Sequence, residues 1–211
     1  MTAKSSNKEK ILAIAVGGVV LALAFVLSKI TIFEMPMGGS VTPASTLPII
    51  VYGMAFGPVW GFIVAIAYSI LQLIDGLKWF VSPFQMFLDY VIGYAALGIT
   101  GFAGLKASER YKIKNPLFRF RRAGLIRAYI FTVIAFVVRW IASVASGVIF
   151  YAEYAADAGY NNALIYSMVY NGSFLAVDLA ICLVVLLVLI IAIPSKKTAA
   201  APAEKVATSK D

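Results

Sequence analysis

Three ionisable residues stand inside otherwise apolar stretches of this 211-residue chain: Asp89, Arg139 and Asp178. An ionised side chain in hydrocarbon is costly, so each requires a partner, a water-filled cavity or a ligand. Arg139 lies eleven residues before Phe150 and Asp178 thirteen after Ile165. At 1.5 Å per residue, both sit about 16–20 Å from the outer ends of adjacent antiparallel helices. Equal depth points first to a structural ion pair, Arg139 with Asp178, joining the last two helices. A direct ligand or proton-transfer role is the alternative.

Asp89 lies five residues past Phe84, and therefore roughly 8 Å below the outer surface. Ser143, Asn171, Tyr90, Trp79, Tyr151 and Tyr166 fall near the same level. An interfacial aromatic belt accounts for the Trp and Tyr residues, but not for a carboxylate or an amide. A pocket open to the outside, aromatic with a few fixed polar groups, accounts for all of them. Its single carboxylate favours a cationic or amine-bearing ligand.

Other chemistry is excluded. The chain has no His and one cysteine, Cys182, so imidazole metal sites, Ser-His-Asp triads and intrachain disulfides are ruled out. No catalytic constellation, metal set or cofactor site is expected, and no Walker motif binds ATP. Hydrophobic residues make up 62% of the chain and charged residues 13%, the balance of an integral membrane protein and not an enzyme.

These residues must be positioned by apolar helices. Hydropathy marks spans at Ile11–Ser28, Thr46–Ile74, Phe84–Leu105, Ala128–Phe150 and Ile165–Ile193. The first lacks a small-x-small cleavage site and is read as a retained helix. The second is interrupted by Gly57 and Pro58 and is read as a hairpin of two short helices. The charges require that split. The segment 106–127 carries eight basic residues against Glu109, which places it in the cytoplasm. Six spans put both termini on that same side, with 15 of the 18 basic residues. One spanning helix at 46–74 would separate them. The charge of +8 thus reports topology, with no nucleic acid implied.

The organisation expected is a cytoplasmic tail at 1–10, a six-helix transmembrane domain at 11–193 and a disordered cytoplasmic tail at 194–211. The outside segments are Lys29–Ser45, Asp75–Pro83 and Tyr151–Leu164. On the first helix Ala15, Gly18 and Ala22 form a small-residue seam that suits close helix approach, either internally or with a partner subunit.

Four ordered segments carry a resemblance. They are Glu34 through Thr42 with Leu47-Pro48-Ile49, Trp79 through Tyr90 (WFVSPFQMFLDY), Arg139 through Tyr154 (RWIASVASGVIFYAEY) and Tyr166 through Gly172 (YSMVYNG). Together they resemble the thiamine-specific S-component family of energy-coupling factor (ECF) transporters, over nearly all of residues 11–193. The resemblance implies an all-α, six-transmembrane-helix S-component bundle in a prokaryotic plasma membrane, capturing thiamine at its outer face. Binding positions would fall on Trp79, Asp89, Tyr90, Tyr151, Tyr166 and Asn171. Uptake would need a membrane-embedded coupling subunit, docked at Gly18 and Ala22, and two cytoplasmic ATPase subunits.

The chain departs from the family pattern at Asp89, where Glu is usual, and at Tyr151, where Trp can occur. Ser143 stands where the family typically has His. That exchange implies a wider pocket, an extra water, or a preference for another heterocyclic vitamin or precursor. A proton-coupled secondary transporter using Arg139 and Asp178 is the remaining alternative.

Overall fold

The computed structural model describes residues 7–36 and 39–194. The ends of both expected tails lie outside the described residues. The first helix, α1 (Asn7–Ser28), starts four residues before the expected span, because Asn7, Lys8, Glu9 and Lys10 extend it. A two-stranded antiparallel ribbon follows, β1 (Phe33–Glu34) and β2 (Ser40–Val41), with Phe33 opposite Val41.

The expected hairpin is present, and its arms are unequal. Its first arm, α2 (Leu47–Phe56), has 10 residues and its second, α3 (Pro58–Asp75), has 18, or about 15 and 27 Å. Between them Gly57 has φ +88°, a conformation glycine adopts without strain, and Pro58 opens the next helix, where its missing N–H costs nothing. A Cβ built on Gly61 would lie 3.2 Å from the Cα of Gly53, so the arms touch backbone to backbone.

The shortness of α2 corrects the reading of 29–45 as an outside loop in its last five residues, 41–45. Residues 41–47 are buried apart from the half-buried Pro43. Thr42 Oγ1 lies 3.5 Å from Asp178 Oδ1, and Thr46 Oγ1 lies 3.3 Å from Cys182 Sγ. Asp178 is fifteen residues into its helix, about 22 Å from its outer end. The chain therefore descends in extended form to mid-bundle, turns at Ala44 (φ 58°), and becomes helical only for the inner half. Ala44 holds a left-handed conformation that costs a non-glycine residue about 1–2 kcal/mol.

A short turn (Gly76–Trp79) leads to α4 (Pro83–Ala103). Ser82 caps it by accepting from the Gln85 N–H at 3.0 Å. Phe87–Ile92 is wound as a π-helix, and Ala96–Ala103 narrows to 3-10 geometry. Short helices α5 (Ala107–Arg110) and α6 (Pro116–Ala123) then precede α7 (Leu125–Phe150), α8 (Glu153–Asp157) and α9 (Ala163–Ala192). Asn115 and Asn162 cap α6 and α9 through their side chains. Among the described residues, five helices are long and apolar enough to cross a membrane, and α2 is a sixth, shorter apolar helix.

The bundle turns apolar groups outward and polar groups inward. Val19, Val59, Ile126 and Ile191 are about 70% exposed or more, while Gln72, Gln85, Thr100, Thr132, Ser146 and Asp178 are buried. Such a distribution fits a lipid solvent, where buried polar groups must find partners inside the protein. The basic segment 106–127 is also more than a run of charge. Arg119 is fully buried and donates to both Glu9 oxygens at 3.0 and 2.8 Å and to the Ile113 carbonyl at 2.6 Å. It ties α6 to the start of α1.

Candidate substrate cavity

At the outer end of the bundle, one cavity is bounded by four separate stretches of chain. The first loop contributes Gly39 and Ser40, and the turn before α4 contributes Trp79. From α4 come Gln85, Asp89, Tyr90 and Tyr94, from α7 Arg139, Ser143 and Gly147, and Tyr151 follows α7. The remaining wall is α9, with Tyr166, Ser167, Tyr170, Asn171 and Phe174. All seven residues picked out by depth and resemblance line this space, although they are separated by up to 92 positions in the chain.

Asp89 and Tyr90 sit in the π-helical turn of α4, a widening of the helix that often occurs at functional positions. Gln85 Nε2 donates to Asp89 Oδ2 at 2.6 Å, and Ser146 Oγ, from α7, donates to the same oxygen at 2.8 Å. Neither partner was expected from sequence. The Gln85–Asp89 spacing of four residues is a helix-neighbour signal that could have revealed the first. Ser146 carries no such signal, because only helix packing brings α7 beside α4.

Asn171 is buried, and its Nδ2 donates to the Ser167 carbonyl at 3.0 Å and the Ser143 carbonyl at 3.3 Å. The amide nitrogen is thereby committed to α7 and α9, and Oδ1 is the group left to accept. Tyr166, Tyr170 and Phe174 recur every four residues and form a ladder of rings with centroids 5.8 and 6.2 Å apart. Sequence reasoning named only the first rung. A Cβ built on Gly39 would fall 2.6 Å from the Phe174 ring, so the first loop rests directly on the ladder. The Tyr151 hydroxyl donates to the Trp79 carbonyl at 3.4 Å, and burial pushes its phenol up to about 12, so it stays a neutral donor near pH 7.

The floor is Arg139. Its guanidinium lies 4.3 Å from the centroid of the Tyr94 ring, and Nη1 is 3.7 Å from Asp178 Oδ2. The two charges do meet at one level, as their spacing predicted. Their depth does not remove Arg139 from the cavity, because its long side chain reaches up to the lining.

Gly18 and Ala22 are elsewhere. Both are exposed on the outer face of α1, and a Cβ on Gly18 would meet nothing within 4 Å. The helix packs inward through Ala13, Gly17 and Ala24 instead.

The profile of the family described as "Thiamine transporter protein" matches residues 14–198. The chain belongs to this family. It is accordingly a multi-pass transport protein of the bacterial plasma membrane, and not an enzyme. Within the thiamine transporter family, it is 28% identical over 163 residues to the thiamine transporter ThiT of Bacillus subtilis (strain 168), covering 76% of this chain and 80% of that protein. A solved structure of ThiT from Listeria monocytogenes superposes with a TM-score of 0.69 at 18% identity, covering 86% of this chain and 94% of that one. At that identity the likeness concerns the fold, the S-component bundle.

Proposed function

We propose that this protein captures thiamine from outside the cell as the S-component of an ECF importer. The observation that carries the reading is the convergence of Trp79, Asp89, Tyr90, Ser143, Tyr151, Tyr166 and Asn171 on one outer cavity. The chemistry suits a cationic heterocycle carrying an amino group. Aromatic faces attract the positively charged ring. Asp89, held through Oδ2 by Gln85 and Ser146, has Oδ1 to accept from the amino group, and Asn171 Oδ1 reads a ring N–H or hydroxyl. Arg139 supports the floor and neutralises Asp178.

Transport is driven by the partner subunits, a transmembrane coupling protein and two ATPases. The exposed seam at Gly18 and Ala22 is the docking surface in this reading, since small residues let a partner helix approach closely. A second reading, capture of a different amine-bearing vitamin or precursor, is favoured by Ser143, whose small side chain stands where a larger one is usual. The deciding experiment is mass spectrometry of the small molecule that copurifies, followed by calorimetric titration with thiamine. Saturable thiamine binding by the wild type, weakened about 100-fold or more in Asp89→Asn, supports the reading. Absence of thiamine affinity, with binding of another heterocycle, would overturn the ligand and leave the family assignment intact.

A further inference from the structure

The aromatic ladder of the cavity does not stop at Tyr166. Tyr160 stands one rung higher, its ring centroid 5.4 Å from that of Tyr166, and Tyr154 lies beside Tyr151 at 6.0 Å. Tyr154 and Tyr160 do not line the cavity, but each abuts a ring that does. From Tyr160 through Tyr166 and Tyr170 to Phe174 the rings run unbroken. The part of this run on α9, Tyr166 to Phe174, alone covers about 12 Å of depth.

The connection between α7 and α9 builds this upper tier as a fixed structure. After α8, Gly159 has φ +78°, its N–H donates to the Ala156 carbonyl at 3.0 Å, and the Tyr160 N–H donates to the Ala155 carbonyl at 2.8 Å. Those two bonds are the Schellman arrangement, which turns the chain at a helix end. Ala155 is buried and seats α8 on the bundle. Two residues beyond Tyr160, the Asn162 side chain caps α9. Tyr160 is thereby held, half-buried, between one helix end and the next helix start, while Tyr154 is 44% exposed.

Charge marks the same side of the mouth. In the other two connections at this end of the bundle, Lys29 pairs with Asp75 and Lys78 with Glu34. Residues 151–164 contain Glu153 and Asp157 and no Lys or Arg. Both carboxylates are exposed and, among the described residues, neither belongs to an ion pair. The uncompensated charge at the mouth is therefore negative, and it sits on the helix that carries Tyr154. An interfacial belt would spread rings around the bundle. Here Tyr154 and Tyr160 extend the cavity's own rings, beside two carboxylates.

We infer that Tyr154 and Tyr160, with Glu153 and Asp157, form a receiving site for organic cations above the cavity, from which the ligand passes down the ring ladder. The carboxylates draw a cation in from solution, and ring faces attract it once there. The site acts on the rate of capture and not on the final pose. The inference rests on the reading of the cavity ligand as a cation.

It is tested by stopped-flow tryptophan fluorescence of the full chain in detergent, with thiamine as the probe, since Trp79 lines the cavity. Glu153→Gln/Asp157→Gln is expected to slow association about fourfold at low ionic strength, with the difference vanishing at about 1 M salt and dissociation changed by less than about twofold. Tyr154→Leu/Tyr160→Leu is expected to slow association about threefold at either salt, and Tyr154→Phe/Tyr160→Phe, which keeps the rings, to restore it. Association unchanged in the charge variant, or a loss carried by dissociation alone, would overturn the proposal while leaving the cavity ligand intact. A wild type with no thiamine affinity would overturn the ligand reading and this proposal together.

Discussion

Ser146 Oγ donates to Asp89 Oδ2 at 2.8 Å across the interface of α7 and α4. Gln85 Nε2 reaches the same oxygen at 2.6 Å from within α4. Both donors are buried, so the half-buried carboxylate is held from one edge and presents its other oxygen to the cavity. The two donors fix where the carboxylate points.

Ser146→Ala should therefore weaken thiamine binding by about tenfold, the scale of one hydrogen bond to a charged group, with Asp89→Asn costing considerably more. Isothermal titration of the two purified variants checks the order. Equal affinity for wild type and Ser146→Ala would show that the clamp does not position the carboxylate.

Ser143 supplies a small hydroxyl at the cavity wall, and its carbonyl is already used by Asn171. Ser143→His is expected to tighten thiamine binding by up to about tenfold, the value of one added hydrogen bond. Ser143→Ala is expected to change it by less than about threefold. Loss of binding in the His variant would mean that the cavity has no room for the ring beside its ligand.

On α1, two adjacent glycines should behave oppositely. A Cβ on Gly17 would lie 3.1 Å from Val64 and 3.2 Å from the Tyr52 hydroxyl, whereas Gly18 is open. Gly18→Trp should leave melting and ligand binding unchanged and abolish uptake in cells carrying the complete importer. Gly17→Trp should lower the melting temperature, because a core without spare volume responds to overpacking with about 1–3 kcal/mol of destabilisation. Normal uptake by Gly18→Trp would move the docking surface elsewhere.

The buried pair of Arg139 and Asp178 separates structure from binding. Asp178→Leu leaves the guanidinium with an uncompensated charge, at a cost of about 3–5 kcal/mol. Arg139→Met/Asp178→Leu removes both charges and should be closer to wild type in thermal unfolding. A double variant less stable than Asp178→Leu would contradict a pair whose main function is mutual neutralisation.

A fifth contrast concerns the corner where α6 meets the start of α1. Arg119→Lys keeps the charge but loses the bidentate contact with Glu9 and the bond to Ile113. Arg and Lys are not equivalent at such a site, and a lower melting temperature with unchanged ligand affinity is expected. Unchanged melting would show that α6 is held by its apolar contacts alone.

The amino-acid sequence alone determined the membrane class and the helical hairpin at Gly57-Pro58, and its charge asymmetry sets the orientation expected. Bilayer thickness and charge asymmetry act on composition, which is local and readable. It also determined the level of Asp89, Ser143 and Asn171, since helical rise converts position into depth. Azimuth is different. Whether Gly18 or Gly17 faces inward, whether Ser146 reaches Asp89, and whether Arg139 reaches the cavity depend on how each helix is rotated against its neighbours. In a chain apolar on nearly every face, no amphipathic stripe records that rotation. Only the tertiary structure decided these points, together with the descent of Pro43-Ala44-Ser45 into the bundle. Buried polar groups must meet partners there, and Asp178 draws Thr42 to mid-depth where hydropathy alone had placed an outside loop.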